Sequence, residues 1–465
     1  MSHSVRSARL LCFWLTLLFA GSGMACRAAG SSALPESEWP TFQSAADNNA
    51  VFTSPSWSTA WRADAGNRIN GGLTVVGRRL YVESFDHNTY AFDALSGEKI
   101  WSAPAGNIVM TTPLVSSGLV IVGSGTGMEE AGSATQALWG RLGGDAIYAY
   151  DARTGAVRWR FDTVGEDMST GAVVPVGGKK EFVFCNGDDH LYALDVNSGA
   201  LRWRTKIPGA CLMSNLSYAD GLLYGSSGFS WELISGLAQH HDSAAYRTLW
   251  TWAARPTDGA LVWSNSPGSV HGGTTVGGGM VFDEFAEPTS WRDPGAVITT
   301  ADNALRLNVV NAFGQRSGAL RWQYVSSGGP MVQIGSRVTE YQGLYVAGVL
   351  YQALPLPSQF AALDAKSGGA RWRIKTQAPV KMTAVMRDGL LYFGDESGYL
   401  YVVRAVDGSI QEQVKFPNYF TCSPPVIVGD TLYVENGSSI YALRLDRLRQ
   451  DAVTLSQGAP PGPSF

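Results

Sequence analysis

The sequence predicts an all-β protein, an eight-bladed β-propeller built from four-stranded antiparallel blades. Three observations predict this fold. A short phrase ending in Gly-x-x-x-Trp returns along the chain, and one more copy of its last strand stands near the N-terminus. Glycine and tryptophan are abundant, at 54 and 15 residues, while only 16% of the residues are charged. This composition is typical of many short strands joined by tight turns.

The repeated phrase is clearest at Tyr90–Trp101 and returns at Tyr148–Trp159 and Tyr192–Trp203. Weaker copies end at Trp263, Trp322 and Trp372, and a seventh has Gly408 with Glu412 where tryptophan is expected. A fixed repeat of this length indicates one supersecondary unit stacked many times. Each copy therefore marks the end of one four-stranded blade.

An eighth set of strands begins at Thr421 and lacks the closing tryptophan strand. The missing strand is found at the other end of the chain, because Ser58–Arg62 resembles Ala200–Arg204 and precedes the first blade. We therefore expect the N-terminal strand to complete the last blade and close the ring. Closure removes the exposed sheet edges that would otherwise promote aggregation.

The domain organisation follows from these boundaries. Residues 1–29 are predicted to be an export signal, with basic Arg6 and Arg9 before a short apolar run. Residues 30–56 lead into the propeller at 57–445, and residues 446–465 are expected to be a disordered tail. Insertions are predicted at about 126–144, 226–248 and 284–303, and long loops on a rigid scaffold often carry binding function. The signal predicts a periplasmic location.

Cys26 offers an alternative to simple cleavage, because Gly23-Met24-Ala25-Cys26 resembles a bacterial lipobox and would place a lipid anchor in the outer membrane. No later segment has transmembrane length. The net charge of −4 and the absence of a basic run disfavour nucleic-acid binding. A protein partner or a small molecule at the channel face is expected instead.

Three cysteines, Cys185, Cys211 and Cys422, follow the signal and Cys26. An oxidising compartment favours one disulfide among these three, with Cys185 and Cys211 as the candidate pair. The odd number leaves one thiol unpaired.

Ligands of propellers usually bind where the central channel opens, at the loops that lead into each innermost strand. Aligning the blades on the glycine turn after that strand brings one position of each blade into register. These positions hold Met110, Met168, Met213, His271, Met331, Lys381 with Met382, and Cys422 after Thr421.

This set has three interpretations. In the first, the residues plug the channel as packing, because methionine is flexible and fills irregular gaps. They could also form an apolar floor for a planar ligand. A third interpretation is a copper site, since methionine, His271 and Cys211 or Cys422 are ligands that suit Cu(I).

The phrase Tyr-x-x-Asp-x-x-[Thr/Ser]-Gly-x-x-x-Trp resembles the tryptophan-docking repeat of the pyrroloquinoline quinone (PQQ)-type propellers, over about residues 57–445. That family includes quinoprotein alcohol dehydrogenases and the propeller lipoprotein of the outer-membrane β-barrel assembly machinery. The resemblance implies that the repeat tryptophans pack between blades. The repeat aspartates are expected to cap turns: Asp93, Asp151, Asp195 and Asp364.

A second resemblance covers Gly123–Glu130 and Trp139–Asp145, which are similar to a quinoprotein dehydrogenase segment. It implies that Glu129, or Glu130, binds the Ca²⁺ paired with PQQ and that Arg141 is the arginine of that turn. The chain departs from the dehydrogenases because no two cysteines are adjacent. Their catalytic aspartate has no identified counterpart, so the catalytic residues are unknown.

The sequence therefore supports three functional hypotheses. The first is an exported propeller that binds a partner protein or a small ligand at its channel mouth without catalysis of its own. The second is a PQQ- and Ca²⁺-dependent oxidoreductase acting on an alcohol or a sugar. The third is a periplasmic copper-binding protein that uses the methionine, histidine and cysteine positions.

Overall fold

The described part of the chain forms eight β-sheets arranged as the blades of a propeller, which confirms the predicted fold class. The structure is a computed structural model that describes residues 32–33, 38–53, 59–125, 145–165, 167–211, 214–228, 249–266, 273–288, 305–330, 342–354 and 358–457. None of its described helices is long and apolar enough to cross a membrane.

Each blade runs from an innermost strand at the channel to an outer strand at the rim. In blade 1 these are Thr74–Val76, Arg79–Ser84, Asn88–Asp93 and Lys99–Pro104. Blade 2 has Leu114–Ser116, Leu119–Gly125, Ala146–Asp151 and Val157–Asp162, with Ile108–Val109 added beside the second strand. Blade 3 has Ala172–Val176, Lys179–Asn186, His190–Asp195 and Leu201–Lys206, and blade 4 has Ser217–Ala219, Leu222–Gly228, Leu249–Ala254 and Leu261–Asn265.

The remaining blades follow the same order. Blade 5 has Thr275–Gly277, Met280–Pro288, Leu305–Gly314 and Leu320–Pro330. Blade 6 has Leu344–Val346, Val349–Leu354, Gln359–Asp364 and Ala370–Lys375, and blade 7 has Val385–Arg387, Leu390–Gly394, Tyr399–Arg404 and Ile410–Lys415. Blade 8 has Val426–Val428, Thr431–Asn436 and Ser439–Arg444 from the C-terminal part, and Trp61–Asp64 as its outer strand.

Ring closure by the N-terminal strand is confirmed. Trp61–Asp64 pairs antiparallel with Ser439–Arg444, and Trp61 lies opposite Ala442. The Ser439 hydroxyl also donates a hydrogen bond to the Asp64 carboxylate. Residues from the two ends of the propeller are thus joined in one sheet, which gives the last blade its fourth strand and closes the ring.

The repeat tryptophans dock each blade onto the next. Trp159 shows the arrangement: its indole lies against Gly199 of blade 3, and its Nε1 donates to the Val196 carbonyl at 2.8 Å. The other six repeat tryptophans donate in the same way to a backbone carbonyl: Trp61 to Ala94, Trp101 to Ala152, Trp203 to Pro256, Trp263 to Gln315, Trp322 to Ala365 and Trp372 to Ala405. The repeat tryptophans are therefore scaffold, as the sequence predicts.

The repeat aspartates cap the turn between the third and outer strands. In blade 1 the Asp93 Oδ1 accepts bonds from the backbone N–H groups of Leu95 and Ser96, at 2.9 and 3.0 Å. Asp151, Asp195 and Asp364 repeat the pattern. These bonds satisfy the backbone donors of the turn. The neighbouring arginine, Arg78 in blade 1, holds the pKa of Asp93 below its ordinary value despite partial burial.

Residues 38–53, named here the strap, follow the inner wall of the ring. Carbonyl groups of the strap accept hydrogen bonds from backbone N–H groups of the innermost strands, in blade order. The donors are Val115 of blade 2, Val173 of blade 3, Val276 of blade 5, Tyr345 of blade 6 and Ile427 of blade 8. In blade 7 the Asn49 side chain bonds both the N–H and the carbonyl of Met386, at 2.9 and 3.2 Å. Trp39 is fully buried. The sequence predicts only a lead-in here, so the strap is a finding of the structure.

The expectation of a disordered tail from residue 446 was wrong for its first part. Residues Leu448–Ser456 form an α-helix preceded by a 3₁₀ turn at Leu445–Arg447. Leu448 and Ala452 are buried in the same core cluster as Tyr441 and Leu443 of blade 8. The Arg444 guanidinium binds the Asp451 carboxylate through two bonds at 2.6 and 2.8 Å, which ties the helix to the end of the blade.

Candidate functional site

The loops that lead into the innermost strands define one face of the ring, named here the upper face. Six of the predicted site residues lie there in the described part of the chain: Met110, Met168, Cys211, Lys381, Met382 and Cys422. All six are buried, with exposed fractions between 0% and 7%. The other predicted residues, Met213, His271, Met331, Glu129 and Arg141, lie outside the described residues. The three predicted insertions fall largely on such segments as well.

Met382 does not offer a thioether to the channel. Its sulfur accepts a bond from the Gly394 N–H at 3.1 Å, and its side chain belongs to the core cluster of blades 6 to 8. Met110 and Met168 are buried outside the described core clusters. The Met382 sulfur is therefore engaged within blade 7.

Two of the three cysteines are joined. Cys185 and Cys211 form a disulfide with a Cα–Cα distance of 5.7 Å, which fixes the loop leading into blade 4 onto blade 3. A disulfide sulfur is not the thiolate that Cu(I) selects, so Cys211 could act as a copper ligand only after reduction. Cys422 is a buried thiol. Within the described ranges, no group of three or more His, Cys, Asp or Glu side chains could hold a metal ion.

Lys381 is part of a buried ion pair. Its Nζ contacts Glu396 Oε1, and the two side chains are only 4% and 6% exposed. Burial raises the pKa of Glu396, while the Lys381 ammonium opposes the rise. A buried pair of this kind loses solvation that the mutual attraction must offset. Lys381, which the sequence predicts at the channel mouth, therefore lies in a buried region of low dielectric constant beneath the upper face.

Three glutamates occupy one register position that the sequence reasoning missed. Glu83, Glu284 and Glu435 each lie in the second strand of a blade. Each comes four residues after the residue of that strand that pairs with the repeat-aspartate position of the third strand. All three are fully buried. Glu83 accepts from the Thr111 hydroxyl at 2.9 Å, and Glu435 accepts from the Thr421 N–H and hydroxyl at 2.9 and 2.7 Å. Burial raises the pKa of Glu435 to about 8 and that of Glu83 well above its ordinary value.

Blade 5 carries two adjacent buried acids. Asp283 accepts from Asn311 at 2.8 Å and from the Thr251 hydroxyl, and burial raises its pKa to about 7. Neither oxygen of Glu284 has a hydrogen-bond partner among the described residues. Burial, with the neighbouring Asp283 adding to it, raises the pKa of Glu284 well above its ordinary value. Burial therefore favours the protonated, uncharged form of this carboxyl group.

A belt of side-chain bonds joins the loops that lead into the innermost strands of blades 3 to 6. Asn215 of the blade 4 loop donates to Gln342 of the blade 6 loop at 3.0 Å, and Gln342 donates to the Thr274 carbonyl of the blade 5 loop at 3.0 Å. Gly273 permits this close approach, because a Cβ there would lie 2.2 Å from the Gln342 amide nitrogen. The Asn215 oxygen also accepts from the Thr170 N–H of the blade 3 loop at 2.8 Å. The belt therefore links four consecutive blades at the start of their innermost strands.

The fold and the site define a closed eight-bladed propeller with a layer of buried acids beneath one face. The family model described as outer membrane protein assembly factor BamB matches residues 50–217, 143–274 and 306–457, so the chain belongs to this family of PQQ-type propellers. The resemblance predicted from the tryptophan repeat is thus confirmed.

The relatives that match this chain carry names that describe different functions. Tetrathionate hydrolase of Acidithiobacillus ferrooxidans is 25% identical over 382 residues, covering 78% of this chain and 70% of the relative. BamB of Yersinia pestis is 25% identical over 377 residues, covering 80% of this chain and 71% of the relative. The solved quinohemoprotein alcohol dehydrogenase ADHIIG of Pseudomonas putida HK5 superposes with a TM-score of 0.57 at 14% identity, covering 93% of this chain and 82% of that one. The last comparison shows the fold alone.

Proposed function

We propose that the chain is an exported, periplasmic propeller that binds a small ligand at its upper face. The observation that carries the proposal is Glu284, a fully buried carboxyl group without a hydrogen-bond partner among the described residues. An unsatisfied buried polar group costs about 1–3 kcal/mol, and in native proteins such groups often mark functional sites. A ligand would approach from the upper face, where the loops into the innermost strands lie.

A partner protein is the alternative occupant of this face. The relationship to BamB, an outer membrane protein assembly factor by name, supports it and also supports the periplasmic location. A lipid anchor at Cys26 belongs to the same proposal and lies outside the described residues. A small ligand is favoured because a protein surface contact gains little from acids that are fully buried.

A second candidate function is hydrolysis of a sulfur–sulfur bond, favoured by the match to tetrathionate hydrolase and by Asp283 of blade 5. Burial raises the pKa of Asp283 to about 7, which gives this side chain the basicity that suits a general base. Water would attack one of the two central sulfurs of tetrathionate and lose a proton to Asp283. The central S–S bond would break with its electron pair on the leaving thiosulfate, and the attacked sulfur would keep the new hydroxyl group and its sulfonate.

The cofactor hypotheses have less support from the described residues. A calcium-bound quinone would need a carboxylate such as Glu129 and an arginine such as Arg141, which lie outside them. Burial raises the pKa of Glu284, and Glu396 is paired with Lys381, so neither of these two acids presents the ionised, unpaired oxygens that Ca²⁺ takes as ligands. For copper, Cys211 is in a disulfide and the Met382 sulfur is bonded within blade 7. Both cofactors remain predictions from the sequence.

The proposal is tested with the full chain by thermal shift against tetrathionate, thiosulfate and a neutral sugar, alongside an assay of thiosulfate release. Glu284→Gln keeps the size of the side chain and removes its acidity. It should lose the thermal shift caused by the best small ligand while the fold persists, whereas Asp283→Asn should abolish hydrolysis. Glu181→Gln, a buried glutamate at the opposite end of its strand in blade 3, is the matched control. Stabilisation by none of the small ligands would leave the partner-protein alternative.

A further inference from the structure

Each blade has a row of three paired residues that crosses it at the same level. The row consists of one residue of the second strand, its partner in the third strand and the outer-strand partner of that residue. In five blades the second strand contributes valine or phenylalanine and the third strand contributes a buried tyrosine: Val82 with Tyr90, Val122 with Tyr148, Phe184 with Tyr192, Phe393 with Tyr401 and Val434 with Tyr441. In those blades the row belongs to the packing between blades.

Blade 5 departs from this pattern at the two inner positions of the row. Asp283 of the second strand pairs with Asn311 of the third strand, and Asn311 pairs with Gln323 of the outer strand. The Asp283 and Asn311 side chains are buried, at 2% and 0% exposure. A carboxyl group and an amide buried at such positions cost stability unless both are hydrogen-bonded. Departures of this kind from a repeating pattern are expected at functional sites.

The polar groups of the blade 5 row form one chain of hydrogen bonds. The Gln323 amide donates to Asn311 Oδ1 at 2.9 Å, and Asn311 Nδ2 donates to Asp283 Oδ1 at 2.8 Å. The buried Thr251 hydroxyl of blade 4 donates to Asp283 Oδ2. The chain therefore extends from the outer strand, where Gln323 is exposed, to a carboxyl group that joins blades 4 and 5.

This chain fixes the orientation of the Asp283 carboxylate. The bond from Gln323 sets which end of the Asn311 amide faces Asp283, because only the amide nitrogen can donate to a carboxylate. Asn311 and Thr251 then hold one carboxylate oxygen each, so the carboxylate cannot rotate without breaking a bond. Each carboxylate oxygen can accept two bonds, which leaves both able to accept one more.

The donors that hold Asp283 carry no charge. Among the described residues its side-chain partners are Thr251 and Asn311, and no lysine or arginine forms an ion pair with it. Glu284 follows Asp283 in the strand and pairs with Val310, so its side chain points to the opposite face of the sheet. Neutral donors orient a carboxylate without the large loss of basicity that a cation would cause. This arrangement suits a general base.

We propose that Thr251, Asn311 and Gln323 are positioning residues that hold the Asp283 carboxylate in one orientation as a general base. The inference deepens the second candidate function, on which it rests, by assigning the residues that act on the proton acceptor. Thr251 and Asn311 act directly on Asp283, and Gln323 acts through the orientation of the Asn311 amide. Correct orientation of a reacting group accounts for a large part of the rate that an active site provides.

Thiosulfate release from tetrathionate by the full chain, measured as a function of pH, tests the role of Thr251. Thr251→Val keeps the shape of the side chain and removes the hydroxyl, so kcat should fall about tenfold while KM changes by less than about twofold. Loss of a donor to the ionised carboxylate raises the pKa of Asp283, so the rise of kcat with pH should move to higher pH. Thr251→Ser keeps the hydroxyl and should resemble the natural chain in both respects.

Gln323 allows a test that leaves every buried group in place. Gln323→Ala should lower kcat severalfold and move the pH profile in the same direction as Thr251→Val. Gln413→Ala, which changes the glutamine at the same register position of blade 7, is the matched control and should behave like the natural chain. Unchanged kcat and pH profile in both Thr251→Val and Gln323→Ala would overturn the inference while leaving hydrolysis intact.

The titration of Asp283 is measured directly by NMR of the full chain with isotope-labelled aspartate carboxyl groups, and Asp283→Asn assigns the signal. Thr251→Val and Gln323→Ala should each raise the midpoint of this titration. Unchanged midpoints in both variants would overturn the inference whether or not the chain hydrolyses tetrathionate. Raised midpoints in a chain that releases no thiosulfate would refute the second candidate function alone and support the hold of the row on Asp283.

Discussion

Arg449 of the C-terminal helix donates a 2.9 Å hydrogen bond to Glu412, at the interface between blades 7 and 8. Every other interface has a tryptophan at the position of Glu412. The tryptophan needs a glycine turn in the following blade, and blade 8 has none there because its outer strand comes from the N-terminus. The helix fills the place of that turn, which explains why the seventh repeat departs from the pattern.

The helix should stabilise the ring mainly through its apolar contacts. Leu448 is 3% exposed, so Leu448→Ala should lower the free energy of unfolding by about 2–4 kcal/mol. The Arg449–Glu412 pair is largely solvated, with 60% and 28% of the side chains exposed, so Arg449→Ala should cost less than about 1 kcal/mol. Urea unfolding followed by tryptophan fluorescence measures both. An equal loss of unfolding free energy in the two variants would contradict the larger role of the apolar contacts.

The docking glycines should be far less tolerant than other glycines of similar backbone conformation. Gly199 and Gly221 have φ values of +69° and +80°, so alanine at either site is strained by about 1 kcal/mol. A Cβ at Gly199 would in addition lie 2.7 Å from the Trp159 ring, whereas one at Gly221 meets no atom within 4 Å. Gly199→Ala should therefore cost about 1–3 kcal/mol more than Gly221→Ala. Thermal unfolding of the two variants gives the difference, and similar melting temperatures would argue against tight docking.

The strap should behave as part of the core. Trp39 is fully buried and its ring lies 5.3 Å from that of Phe52, so Trp39→Ala should destabilise the protein by about 3–5 kcal/mol. Trp39→Phe keeps most of the packing and should cost much less. Limited proteolysis with mass spectrometry should show faster cleavage within residues 38–53 in the alanine variant. Unchanged stability and cleavage would mean that the strap contributes little to the fold.

Stability should depend on pH through the buried acids. The pKa of Glu435 is about 8 in the folded chain and near 4.5 when unfolded, so between these values the folded state holds a proton that the unfolded state has lost. Its favourable contribution is complete below about pH 4.5 and falls as the pH rises to about 8, by up to about 1.4 kcal/mol per pH unit. Glu435→Gln should flatten this part of the stability profile measured by urea unfolding. The exposed Glu98→Gln should not, and a profile unchanged in Glu435→Gln would contradict the assignment.

The sequence predicts the repeating part of the molecule well, because the Gly-x-x-x-Trp phrase records a contact that recurs in every interface but one. It predicts the strap poorly, since Trp39 and Asn49 belong to no repeat and their partners lie far away in the chain. Glu284 and Glu435 could have been found by extending the same register to the second strand. The environment of the Met382 side chain could not have been found in this way, because the register determines the position of the backbone but not the contacts of the side chain.

The strap also has a consequence for how the chain acquires its structure. Its hydrogen-bond partners extend from Val115 to Gly429, so the segment that leaves the ribosome first obtains its last partners only when nearly the whole chain is present. Contacts of such sequence separation slow folding. The N-terminal part should thus remain extended until blade 8 is available. A chain that crosses a membrane unfolded would therefore complete the strap only after translocation has ended.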